Sequence, residues 1–99
     1  MKPYHNKDMD FLYRGILTLQ TREECYAFFE DICTIKELQA MAQRFRVAEQ
    51  LSSNKNYNEI QADTGASSAT ISRVNKCLMY GSGGYTTALQ RLTKEQDNG

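Results

Sequence analysis

Two short helical patterns joined by a glycine turn, within residues 56–80, constrain the fold of this chain most. The first pattern is centred on Ile60, and the second carries Ile71 and Val74 three residues apart, which places both on one face of a helix. Gly65 lies between the patterns and can take the left-handed backbone conformation that a short turn between steeply crossed helices needs. We therefore predict that Ile60, Ile71 and Val74 pack the two helices together.

The outward face of the second helix is polar and uncharged at its start, as a helix-turn-helix needs if that helix is to enter the major groove of DNA. Ser67 is placed to cap the helix through its hydroxyl, and the small side chains of Ser68 and Ala69 would let the backbone approach phosphates and base edges. The same residues also fit an ordinary αα-hairpin in a small helical domain. Only the helix-turn-helix interpretation predicts a DNA-binding surface.

The charge balance neither requires nor excludes a nucleic-acid partner. Twelve basic and twelve acidic side chains cancel, so no overall field draws the protein toward DNA. Residues 36–80 carry six basic and four acidic side chains, which is a slight positive surplus. This surplus alone would not establish DNA binding.

The three cysteines do not form a metal-binding pattern, because none lies in a CxxC pair and His5 is the only histidine. An odd number of cysteines without a signal peptide predicts reduced thiols in the cytoplasm. No apolar run approaches the roughly 18 residues of a membrane-spanning helix. An enzyme is the least favoured class, since no nucleophile with a base, no carboxylate pair and no metal set can be found.

Apolar residues recur at helical spacing along the rest of the chain, and no segment alternates with the period of a β-strand. Capping boxes of the form Thr-x-x-Glu at Thr21 and Thr34 predict the starts of two helices. We therefore predict an all-α fold of about six helices. The predicted segments are a flexible arm at 1–7, a helix from Asp8 to near Gln20, a second to about Ile32, a third to Leu51 or Ser52, the helix-turn-helix at 56–79, a last helix from Thr86 or Thr87 through Leu92, and a polar tail at 94–99, with 8–93 forming a single domain.

The apolar side chains exceed what one small bundle readily buries. The second helix alone carries Tyr26, Phe28, Phe29 and Ile32, and a chain of 99 residues has only a modest core of its own. We therefore predict a homodimer, whose two-fold symmetry would also suit recognition of paired half-sites in DNA. A compact monomer is the alternative.

A wider set of residues resembles the Trp repressor family over about residues 28–80. Within it, the run ATISR at 69–73 is similar to the recognition-helix run Ala-Thr-Ile-Thr-Arg of the family. The run GSGGY ending at Tyr85 resembles the related subgroup often labelled YerC/YecD. The resemblance implies an intertwined all-helical homodimer that binds DNA sequence-specifically in transcriptional control. The residues that carry it are Thr34, Arg44, Glu49, Leu51 and Gly65 to Arg73.

The same resemblance implies which residues would contact DNA. Ser68, Ala69, Thr70 and Ser72 would face the major groove, with Asn58 of the preceding helix close to the DNA. Short hydroxyl and methyl groups favour water-bridged and apolar contacts with bases over bidentate arginine contacts. The complete predicted set is Asn58, Ser67, Ser68, Ala69, Thr70, Ser72, Arg73 and Lys76.

A ligand pocket is also implied. In the family, a tryptophan corepressor lies between two arginines matched by Arg44 and Arg73, near a threonine matched by Thr34. This chain departs from the pattern because Val74 stands where the family has a glycine, and Cys77 replaces a serine that serves the amino group of the ligand. A β-branched side chain in the space of the indole and a weak thiol in place of the hydroxyl argue against L-tryptophan. Another small-molecule corepressor remains open, and no metal is predicted.

Two functional hypotheses follow. The leading one is a DNA-binding transcriptional regulator of the repressor type, acting on a double-stranded operator without a membrane partner. The alternative is an adaptor that uses the same helix pair to bind other proteins, which the neutral total charge favours and the small-residue helix face disfavours. DNA binding that weakens with added salt would distinguish them.

Overall fold

The computed structural model describes residues 2–98, with side chains described up to residue 95. Within residues 2–98 every regular element is an α-helix, which confirms the predicted all-α fold of about six helices. The helices are α1 (Lys7–Ile16), α2 (Arg22–Ile32), α3 (Ile35–Ser52), α4 (Tyr57–Thr64), α5 (Ser68–Tyr80) and α6 (Gly84–Asn98).

The chain divides into two compact units, one up to Leu38 and the other from Gln39 onward. All fully buried apolar side chains among the described residues lie in the second unit. They include Ile60, Ile71 and Val74, as predicted, together with Val47, Ala48 and Ala66. The core of the second unit therefore joins α3 to the helix pair α4 and α5. The prediction of a single domain over residues 8–93 stays a prediction.

Short polar side chains begin five of the helices. Thr34 forms the predicted capping box, because its hydroxyl accepts from the Glu37 amide at 3.1 Å while its own amide donates to Glu37 Oε1 at 2.8 Å. Thr21 also caps the Glu24 amide, but the Glu24 carboxylate accepts from the Gln20 amide, one residue before the predicted partner. Local hydrogen bonds of this kind satisfy the free amides of a first helical turn. The other capping residues are Asn6, Asn56 and Ser67.

Three predicted helix boundaries were wrong. The first helix ends at Ile16 instead of near Gln20, because the amide and hydroxyl of Thr18 both donate to the Gly15 carbonyl and close a tighter turn. The last helix begins at Gly84, before the threonines predicted to cap it. Gly83, directly before its start, has a φ of 85°. Its helical backbone continues through residues 94–98, where we predicted a polar tail; residue 99 lies outside the described residues.

Candidate nucleic-acid interface

The turn between α4 and α5 is closed by a glycine and by a threonine hydroxyl. Gly65 has φ 74° and ψ 4°, the left-handed conformation predicted for it, and its amide donates to the Gln61 carbonyl. The Thr64 hydroxyl donates to the Ile60 carbonyl at 2.7 Å and accepts from the Ala66 amide at 3.1 Å. Since Ala66 is itself buried, these contacts set the direction in which α5 leaves the turn.

The N-terminal half of α5 presents small side chains to solvent. Ile71 and Val74 bury the opposite side of the helix, so residues spaced by four along α5 share one outward face. Asn58, in the first turn of α4, is exposed as well. We define the outer face of α5 as its exposed residues among the predicted DNA contacts, which are Ser68, Ala69, Ser72, Arg73 and Lys76.

Thr70 is placed differently from the other predicted contacts. Its side chain is half-buried, and its Oγ1 lies 3.1 Å from the Oγ of Ser67. Ser67 Oγ also accepts from the Thr70 amide at 3.1 Å, which is the predicted cap of α5. The Thr70 hydroxyl therefore takes part in the helix cap, and its predicted contact with DNA stays a prediction.

Two of the basic side chains near the helix pair are paired with acids. Arg46 Nη1 donates to Glu49 Oε1 at 2.7 Å, and this hydrogen bond raises the pKa of the Arg46 guanidinium. Lys55 Nζ lies 3.4 Å from Asp63 Oδ2. Both pairs are largely exposed and are worth little to stability. Among the side chains up to residue 95, the cations outside these ion pairs include Arg44, Arg73 and Lys76.

Thr34, one of the predicted pocket residues, serves as a helix cap. It belongs to the first compact unit, whereas Arg44, Arg73, Val74 and Cys77 belong to the second. Its amide and hydroxyl bond Glu37, and these hydrogen bonds lower the pKa of the Glu37 carboxyl. The hydroxyl oxygen of Thr34 thus accepts one backbone hydrogen bond, from the Glu37 amide.

The remaining pocket residues differ in their exposure. Val74 is only 1% exposed, so its isopropyl group forms part of the core and leaves no open space at that position. Arg44 is half-buried, while Arg73 and Cys77 are exposed. The prediction that L-tryptophan does not bind at this site stays a prediction.

Sequence reasoning missed one polar residue that contacts the turn. Gln43, in the middle of α3, donates from its Nε2 to the Thr64 carbonyl at 3.2 Å. The two residues are 21 positions apart, and neither helical periodicity nor a capping pattern relates residues at that separation. The three-dimensional packing of α3 was needed to find this contact.

Neither a metal centre nor a membrane-spanning helix is found in the described part of the chain. No group of three or more metal-binding side chains converges there. No described helix combines the length and apolar character needed to cross a bilayer. An exposed helix face of small polar groups and free cations, held on a rigid turn, is instead typical of small helical DNA-binding regulators.

Comparison with known proteins identifies the family to which the chain belongs. The sequence profile of the Trp repressor protein matches residues 7–93. The chain is 49% identical over 90 residues to the uncharacterized protein YerC of Bacillus subtilis, covering 91% of this chain and 86% of that protein. The chain therefore belongs to the Trp repressor family, a family of DNA-binding regulators and not of enzymes.

Solved structures of related proteins agree with this assignment. The fold is similar to that of a TrpR-like protein from Eubacterium eligens, with a TM-score of 0.88, 44% identity, and coverage of 91% of this chain and 93% of that one. It is also similar to a protein from Staphylococcus aureus proposed to be a Trp repressor, with a TM-score of 0.89, 41% identity, and coverage of 94% and 96%. The predicted family and the predicted all-α, Trp-repressor-like fold are thus confirmed, whereas the intertwined homodimer stays a prediction.

Proposed function

We propose that this protein is a transcriptional regulator that binds double-stranded DNA sequence-specifically and acts as a repressor. In this proposal α4 and α5 form a helix-turn-helix, and the outer face of α5 enters the major groove. The observation that carries the proposal is the face itself, with small groups at the start of the helix, Arg73 and Lys76 further along, and a rigid turn behind it. Arg73, Lys76 and Arg44 would contact phosphates, while Ser68, Ala69 and Ser72 would approach bases.

The proposal includes a homodimer. Within one chain, neither α1 nor α2 buries a single residue. Large apolar side chains on these helices are exposed instead, with Phe11 73% exposed and Tyr26 62% exposed. In the second unit, α3 and α6 also border an open groove of about 530 Å³ whose apolar lining includes Phe45 and Leu92. Apolar surfaces of this extent in a small chain support association with a second copy. Two recognition helices would then meet half-sites one helical turn apart.

We further propose that DNA binding does not require L-tryptophan. The buried Val74 fills the position of the family glycine, the Thr34 hydroxyl already caps α3, and Cys77 offers only a weak hydrogen-bonding thiol. Another small molecule could still bind near Arg44 and Arg73, which no carboxylate neutralises among the described side chains.

An adaptor that binds other proteins through the same helix pair is the second candidate. It is favoured by the zero net charge and by the acids that pair with Arg46 and Lys55. A regulator that releases counterions from DNA must lose affinity as salt is added, whereas an adaptor has no such DNA interaction to lose.

The proposed function predicts selection of one palindromic sequence from a random pool of duplex DNA. The purified protein is mixed with the pool at moderate salt, with and without L-tryptophan, and the retained duplexes are sequenced. We expect the same palindrome in both conditions and weaker retention at higher salt. Enrichment only with tryptophan would contradict the ligand-independent part, and no enrichment in either condition would favour the adaptor.

Ser72→Ala is expected to weaken binding to the selected palindrome about fivefold, because it removes one hydroxyl contact near a base edge. Ser72 is exposed and makes no side-chain hydrogen bond among the described residues, so helicity should be unchanged. Fluorescence anisotropy with the selected duplex measures the affinity, and circular dichroism measures the helix content. The control is Ser82→Ala, an identical change at an exposed residue between α5 and α6. Equal affinity of both variants would remove Ser72 from the interface.

A further inference from the structure

One side-chain hydrogen bond reaches the turn between α4 and α5 from outside the helix pair. Gln43 Nε2 donates to the Thr64 carbonyl at 3.2 Å in a half-buried position. The other side-chain hydrogen bonds of the described residues join partners no more than eight positions apart. The core that α3 shares with the helix pair is apolar, and the hydrophobic effect that drives its burial is non-directional, whereas a hydrogen bond is directional.

The position of the Gln43 amide is matched to the glycine beside it. A Cβ added at Gly65 would lie 4.0 Å from Gln43 Nε2, which is ordinary van der Waals contact. The amide therefore lies directly against the left-handed residue of the turn. It also satisfies a carbonyl in the last turn of α4, where no intrahelical amide is available.

We propose that Gln43 is a positioning residue that fixes the direction of α5 relative to α3. It acts through Thr64 and Gly65 and has no contact with DNA itself. The consequence for DNA reading rests on the proposed function: with the hydrogen bond in place, the outer face of α5 meets base edges in one register. Without it, the apolar core still holds α5, but several orientations become accessible, so discrimination between sequences falls more than stability does.

Two substitutions of Gln43 test this inference. Gln43→Met keeps the length and helix propensity of the side chain but removes the hydrogen-bond donor. Gln43→Glu keeps the shape of the side chain but places a carboxylate, which repels the Thr64 carbonyl, where the donor was. Gln39→Met is the control, because Gln39 is an exposed glutamine one helical turn earlier with no side-chain hydrogen bond among the described residues. Each variant is studied at a temperature where circular dichroism shows it fully folded.

The first readout is the ratio of affinities for the selected palindrome and for a scrambled duplex. We expect this ratio to fall about fivefold in Gln43→Met, further in Gln43→Glu, and not at all in Gln39→Met. A residue with a merely structural role would reduce the active fraction for both duplexes equally and leave the ratio unchanged. An unchanged ratio in both Gln43 variants would overturn the inference.

The second readout needs no DNA. Hydrogen exchange of the Gly65 and Ala66 amides, which bond the Gln61 carbonyl and the Thr64 hydroxyl, should become about fivefold faster in the Gln43 variants alone. If the wild-type protein prefers no duplex, the proposed function fails, and faster exchange would still establish Gln43 as the residue that holds the turn. Unchanged exchange would overturn the positioning role whatever the DNA result.

Discussion

Gly65→Val is expected to destabilise the protein by about 2 kcal/mol, because it places a β-branched side chain in the left-handed region of backbone conformation. Gly65 has a φ of 74°, and its amide closes α4 through the Gln61 carbonyl. A valine either accepts this strain or moves to a negative φ, and the second choice breaks the turn.

Thermal unfolding followed by circular dichroism measures this effect. For a chain of this size, a loss of about 2 kcal/mol corresponds to a decrease in Tm of roughly 10 °C. Gly65→Asn should recover most of the loss, since asparagine tolerates the left-handed region better than other residues with a side chain. Gly84→Val is the matched control, because Gly84 lies outside that region with nothing within 4 Å of an added Cβ. If Gly65→Val melts with the wild type, the turn does not depend on its glycine.

Local sequence patterns predicted the parts of the fold whose causes are local. Thr34 with Glu37 forms a capping box that depends only on residues three positions apart. The same holds for Ser67, which caps α5, and for Gly65, whose left-handed conformation follows from the absence of a side chain. Each of these features was therefore predictable without knowledge of the rest of the chain.

Features that depend on tertiary packing were not predictable in the same way. In α3, Val47 is fully buried, whereas Met41 is 43% exposed. Helix α3 has two apolar faces, and periodicity alone does not decide which one meets α4 and α5. Gln43 was missed for the same reason, because its partner is distant in sequence.

In the candidate site, too, some features could be predicted from local sequence patterns and others could not. An outward face on α5 followed from the spacing of Ile71 and Val74, since residues between core positions must point away from the core. The placement of Thr70 did not follow, because a hydroxyl near a helix start can bond the cap residue instead of solvent. Such competition between local hydrogen bonds is decided by side-chain geometry that the sequence does not specify.

The exposed apolar surface of α1 leads to the second prediction with a large expected effect, which concerns association of two copies of the chain. Helix α1 has 10 residues and buries none of them, and α2 has 11 and buries none. Isolated helices of this length are marginal in water, and fewer than about 40 residues rarely sustain a core of their own. We therefore expect a second copy to cover this surface, and the Tm of the wild-type protein should rise with its concentration.

Phe11→Gln is expected to weaken the homodimer about a thousandfold. Phe11 is 73% exposed in one chain, and burial of a phenylalanine is worth about 2 kcal/mol, which counts twice in a symmetric dimer and gives roughly 4 kcal/mol in association. Sedimentation velocity over a range of concentrations measures the shift toward monomer. Asp10→Gln introduces the same residue at an exposed polar position about 100° around α1 from Phe11 and should leave association unchanged. If the Phe11 face were simply solvated, Phe11→Gln would be as harmless as Asp10→Gln, and α1 would have to be held by some other partner.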